Sequence, residues 1–142
     1  MRTFGERIGA LLRPGDVVIL TGPLGAGKTT LTQGIAAGLG VESAVTSPTF
    51  VISRLHTDAA GAVRLIHVDA YRLNDPHDLE TLDLDDYLPT AAMVVEWGQR
   101  VFDVNDPAYL VIDIDRPAVG GETDESGPRT LTLPARFSGI AQ

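Results

Sequence analysis

The chain has 142 residues, a formal net charge of −8 and no cysteine. That length suits one domain, 1–142, with a single core and with 116–142 as a hairpin and variable tail. The acid excess argues against broad non-specific nucleic-acid binding, and the missing thiols exclude disulfides, thiolate metal sites and a cysteine nucleophile.

Phe4, Ile8, Leu11 and Leu12 recur at helical spacing, which predicts an amphipathic helix over 3–13. Charges and glycines there replace the apolar core of a signal peptide, and no apolar run is long enough to span a bilayer, so a soluble cytoplasmic protein is expected. Pro14-Gly15-Asp16 turns the chain, and Asp16–Thr21 is expected to form a buried strand. A Gly-rich loop leads into a helix from about Lys28 to Leu39, closed by Gly40. Two β-like runs, Phe50–Leu55 and Val63–Val68, flank Thr57–Gly61, which suits a hairpin connection. Residues 75–88 are acidic and Leu-rich and predict one or two short helices. Ala92–Glu96 is a short apolar run ending in an acid, and Gly98–Val101 suits a short helix. Tyr109–Ile114 and Thr130–Leu133 are expected as final strands, joined by a mobile connection over Pro117–Pro128.

The strongest chemical signal is Gly22-Pro23-Leu24-Gly25-Ala26-Gly27-Lys28-Thr29. It fulfils G-x-x-x-x-G-K-[ST] between a predicted strand and a predicted helix. Glycines let the backbone approach phosphates closely, and successive N–H groups with the helix N-terminus face the anion. Lys28 has the reach for the β- and γ-phosphates, and the Thr29 hydroxyl suits Mg²⁺. Such a site calls for an acid at a neighbouring strand end. Asp69 and Glu96 both follow apolar runs, and either can serve the metal while the other positions water.

Thr46-Ser47-Pro48-Thr49 lies between the phosphate-loop helix and the hairpin that ends in Asp69. GTPases place a switch loop in this order, so Thr46, Ser47 and Thr49 are candidates for sensing the γ-phosphate; a plain turn around Pro48 is the alternative. The guanine-reading [NT]-K-x-D element is absent, which favours ATP. His56, His67 and His77 show no metal-ligand spacing; His67 is expected within a strand and the other two at the surface. Trp97, the only tryptophan, directly follows Glu96; it is expected chiefly to pack in the core, with a place near the nucleotide or a partner as the alternative.

Gly22–Thr30 (GPLGAGKTT), Thr46–Phe50 (TSPTF), His67–Leu73 (HVDAYRL) and Val95–Trp97 (VEW) together resemble the TsaE (formerly YjeE) family over roughly residues 4–115. The resemblance implies an α/β P-loop NTPase three-layer fold with a mixed parallel and antiparallel sheet. It implies ATP and Mg²⁺ as ligands and weak intrinsic ATPase activity. It also implies assembly with TsaD and TsaB, which transfer threonylcarbamoyl to adenosine 37 of tRNA, so that tRNA is met only through the complex. The family's P-loop lysine and threonine fall on Lys28 and Thr29, with Thr30 beside them. Its Walker-B-like Asp falls on Asp69, its metal-associated Glu on Glu96, and its S-P-T loop on Ser47-Pro48-Thr49. Members usually carry a short segment and a strand before the first helix. Here an uncovered sheet edge and altered adenine contacts are therefore expected.

Two other readings fit a lone P-loop: a small-molecule kinase and a nucleotide-gated module without hydrolysis. Arg72 is the only cation in 70–90, which disfavours a phosphate-clamping lid there. The acidic 75–88 stretch is either a docking surface or a solvated helix face.

Overall fold

The computed structural model of the chain describes residues 2–23, 27–41, 53–73, 75, 77–78, 84–115 and 130–141. In chain order the elements are α1 (Arg2–Leu11), β1 (Val17–Thr21), α2 (Lys28–Gly38), β2 (Ser53–Thr57), β3 (Val63–Asp69), β4 (Ala92–Glu96), β5 (Leu110–Asp115) and β6 (Thr130–Thr132). Short 3-10 turns run over Leu84–Tyr87, Gly98–Arg100 and Ala135–Ala141. The predicted 75–88 helical region thus contributes the turn at Leu84–Tyr87, while 79–83 and the connection 116–129 lie outside the described residues.

The strands form one six-stranded sheet in the order β2-β3-β4-β1-β5-β6. β3, β4, β1 and β5 are parallel, and β2 and β6 pair antiparallel at the two edges. This is the mixed α/β sheet that the family resemblance implies. The central strands are apolar almost without interruption because both of their faces are covered; all five residues of β4 are buried. The β2–β3 connection closes through Asp58, whose carboxylate accepts from the N–H groups of Ala60 and Ala62. Arg136, in the last turn, bonds Asp16 ahead of β1 and ties the end of the described chain to the central strand.

Strand alternation divides the core into two clusters. Val18, Leu20, Leu65, Val94, Ile112 and Ile114 pack against Ile8 and Leu12 of α1 and against Leu31 and Ile35 of α2. Ile66, Val68, Met93 and Val95 face the opposite way and are covered by Leu73, Leu84 and Val101.

The contact between α1 and α2 is unusually close. Gly5 meets Gly34 and Gly9 meets Gly38, so the helices run in the same direction. A Cβ at Gly5 would collide with the carbonyl of Leu31, at Gly9 with that of Ile35, at Gly34 with that of Arg2 and at Gly38 with that of Glu6. Glycine inside a helix costs about 1 kcal/mol relative to alanine; here backbone-to-backbone packing offsets it.

Two sequence expectations are corrected. Leu11 is 45% exposed rather than part of the core stripe. The buried face of α1 is Gly5, Ile8 and Gly9, continued by Leu12, because the glycines rather than Leu11 turn toward α2. His56 is buried, with its ring 6.4 Å from that of His67. The antiparallel pairing of β2 with β3 carries it inward, whereas His77 is exposed as expected.

Candidate functional site

β1 is the strand from which the phosphate-loop motif departs, and it lies between β4 and β5. Gly22 follows it with φ 134, and a Cβ there would meet the carbonyl of Ile114 on β5. Gly27 takes φ 104 and caps the N-terminus of α2, where no side chain of the cap occupies the first helical N–H groups. Both conformations are left-handed ones that side chains disfavour, which is why the motif needs glycine at these two places. Pro23, Gly27, Lys28, Thr29 and Thr30 are placed with Gly22, while Leu24, Gly25 and Ala26 lie outside the described residues. So do Thr46, Ser47 and Thr49 of the predicted sensing loop.

Lys28 opens α2 and is only 5% exposed. Its ammonium donates to the carbonyl of Gly22 at 2.8 Å and stands 3.7 Å above the Trp97 ring. Burial pushes its pKa below the ordinary lysine value, while the carboxylates of Glu96 and Asp69 pull it back up. Thr32 donates to the Lys28 carbonyl at 2.8 Å and fixes the first turn.

Asp69 and Glu96 are register partners at the carboxyl ends of β3 and β4, and Leu20 of β1 is aligned with Glu96. Alternation puts both acids on the sheet face that carries α2, in line with Leu65 and His67 on β3 and with Val94 on β4. The two acids differ in setting. Asp69 is half-buried and accepts from the N–H of Tyr71 at 3.0 Å. Glu96 is buried, and its Oε2 lies 2.6 Å from His67 Nε2. With a proton on Nε2, that nitrogen donates to the carboxylate and Nδ1 is left as a bare acceptor; Nδ1 is buried with no partner among the described residues.

Four side chains, those of His67, Tyr71, Arg100 and Asp113, were given no role at this site by the sequence, whereas Trp97 was offered one. His67 was expected only as a strand residue, and its role depends on the β3–β4 register. Trp97 packs partly on the second core cluster, yet its ring also carries the Lys28 ammonium. Its backbone takes φ 61, an uncommon conformation for a bulky residue that marks a constrained position. Tyr71 meets Trp97 edge-on at 5.2 Å, and the Arg100 guanidinium lies over Tyr71 at 5.0 Å. Asp113 on β5 accepts a 2.5 Å hydrogen bond from Thr21, directly before the loop. Adjacency of Trp97 to Glu96 was the one available signal; nothing local pointed to Asp113.

A glycine-lined loop at a helix N-terminus suits an anion. Two carboxylates beside such a cradle would repel that anion unless a cation lies between them, so the donor set fits a phosphate chain carrying a divalent metal. The chain is, by fold and loop, an α/β P-loop NTPase. Residues 1–123 match the family described as threonylcarbamoyl adenosine biosynthesis protein TsaE. The chain belongs to that family. It is 51% identical over 133 residues to the tRNA threonylcarbamoyladenosine biosynthesis protein TsaE of Streptomyces coelicolor, covering 93% of this chain and 89% of that one. The protein of the same description from Mycobacterium bovis is 45% identical over 121 residues, covering 80% and 72%. Among solved structures, Bacillus subtilis YdiB aligns with a TM-score of 0.60 at 30% identity, over 99% of this chain and 83% of that one. No helix among the described residues is long and apolar enough to cross a membrane.

Proposed function

We propose that the chain binds Mg-ATP at Gly22–Thr29 and hydrolyses it slowly, in support of a TsaD–TsaB assembly that makes threonylcarbamoyladenosine at position 37 of tRNA. The observation that carries this reading is the convergence of Lys28, Asp69 and Glu96 at one end of the sheet, on the face where α2 begins. In this reading the loop amides and Lys28 hold the phosphates. Thr29 and Glu96 are the oxygen donors for Mg²⁺, and the His67 bond fixes Glu96 in the manner of partners that orient metal-bound carboxylates. The half-buried Asp69 has one oxygen bound to the Tyr71 amide; its other oxygen orients the attacking water. Thr29 and Glu96 would hold the Mg²⁺, which would supply positive charge against the negative charge that develops on the phosphates during transfer. Lys28, released from Gly22 and Trp97, contributes to the same end.

Phosphate release, measured alone and with TsaD, TsaB and tRNA, tests the proposal. Slow turnover alone, stimulation by the assembly and silence in Lys28→Ala are expected. ATP binding without release under all conditions would leave only a nucleotide-gated module, and transfer of phosphate to a small metabolite would make the chain a kinase.

A further inference from the structure

A cavity of about 510 Å³ lies away from the phosphate loop. Val17 and Met93, paired at the amino ends of β1 and β4, form part of its wall. The loop leaves the other end of β1, four residues on, roughly 13 Å away at strand rise. The cavity therefore opens at the opposite end of the sheet, and Met93 and Val101 assign it to the face that α1 and α2 do not cover.

Its lining is of two kinds. Leu88 and Phe102, both half-buried, join Val17 and Met93 in an apolar wall. Asp85, Asp103 and Asp106 supply carboxylates from two separate segments. Asp103 and Asp106 each accept a backbone N–H two residues on, at 2.9 Å, which fixes their side chains. Tyr87 and Val104, in the same two segments, are among the exposed large apolar side chains, at 37% and 38%. No group of three or more acids or histidines among the described residues is placed to hold a metal ion. The carboxylates are spread along the lining rather than converging, which suits several cations on one flexible chain better than a point cation.

We propose that this cavity is a docking site for a basic, amphipathic segment of a partner polypeptide. A large apolar side chain of that segment fills the cavity, and its Lys or Arg residues lie against Asp85, Asp103 and Asp106. Charge complementarity selects this occupant. Nucleic acid and anionic lipid are repelled by the three carboxylates, and the chain's net charge of −8 draws a basic segment at long range. The proposal is independent of ATP hydrolysis.

Selection of a random short-peptide display library on the immobilised full chain tests it, with recovered peptides measured by fluorescence anisotropy. Enriched peptides should carry net positive charge around one or two large apolar residues. They should bind the Asp85→Asn/Asp103→Asn/Asp106→Asn variant about ten-fold more weakly, about 1.4 kcal/mol. Asparagine preserves the side-chain turns, so that variant should fold. Phe102→Ser, on the apolar wall, should weaken the same peptides, and nucleotide binding should be unchanged in both variants. No enrichment, a neutral or acidic consensus, or equal affinity for the triple variant would overturn the proposal.

Discussion

On one face of the sheet α1 and α2 lie with their backbones in contact at four glycines; on the other, 3-10 turns and loops cover the strands and leave a cavity of about 510 Å³. The first face carries Lys28, Asp69, Glu96 and His67, groups that the proposed hydrolysis requires to be held to a fraction of an ångström. The second has only to exclude water from Ile66, Val68 and Met93, and short irregular segments suffice for that. Close packing therefore follows the chemistry, while the looser face is left to offer an adaptable surface.

Stability measurements can break this contrast. Gly34→Val drives a branched side chain into the Arg2 carbonyl and should cost about 3 kcal/mol in urea unfolding. Leu84→Ala, on the other face, should cost about 2 kcal/mol, because the nearby cavity lets neighbours relax. Equal losses would mean that the two faces are packed alike. A smaller effect sharpens the role of the rigid face: His67→Leu should lower phosphate release roughly 10- to 100-fold, whereas His67→Gln, which retains a donor for Glu96, should keep most of it. If both variants lose activity equally, His67 serves packing alone.

The smallest effect concerns acid stability. Burial, with His67 and Arg54 nearby, holds the His56 pKa below its ordinary 6.5. The unfolded chain therefore takes up this proton first, so the contribution is intact above about pH 6.5 and declines as the pH falls below it. The melting temperature should drop on acidification, and less so in His56→Leu. An undiminished drop in that variant would clear His56 as its source.

Much of the fold was legible because its signals are local. The strands β1, β3, β4 and β5 are apolar runs bounded by turn residues, and the loop motif lies between a strand and a helix. The strand-end acids Asp69 and Glu96 stood out for the same reason. The rest depends on pairings that no local window contains. His67 meets Glu96 only through the β3–β4 register, and Trp97 reaches Lys28 only because α2 begins above the end of β4. The burial of His56 follows from hairpin pairing. The glycines of α1 and α2 look like weaknesses within each helix taken singly, whereas the helical spacing of apolar residues includes Leu11, which is exposed.

Those glycines also bear on how the sequence can drift. The space beside each one is filled by the other helix's main chain, which no substitution can trim. A larger residue at any of the four is therefore accommodated only by parting the helices, and that would carry the start of α2, with Lys28, away from the acids on β3 and β4. Evolution can exchange the apolar side chains around these positions one at a time. At the glycines, every such change is at once a change in the geometry of the proposed phosphate site.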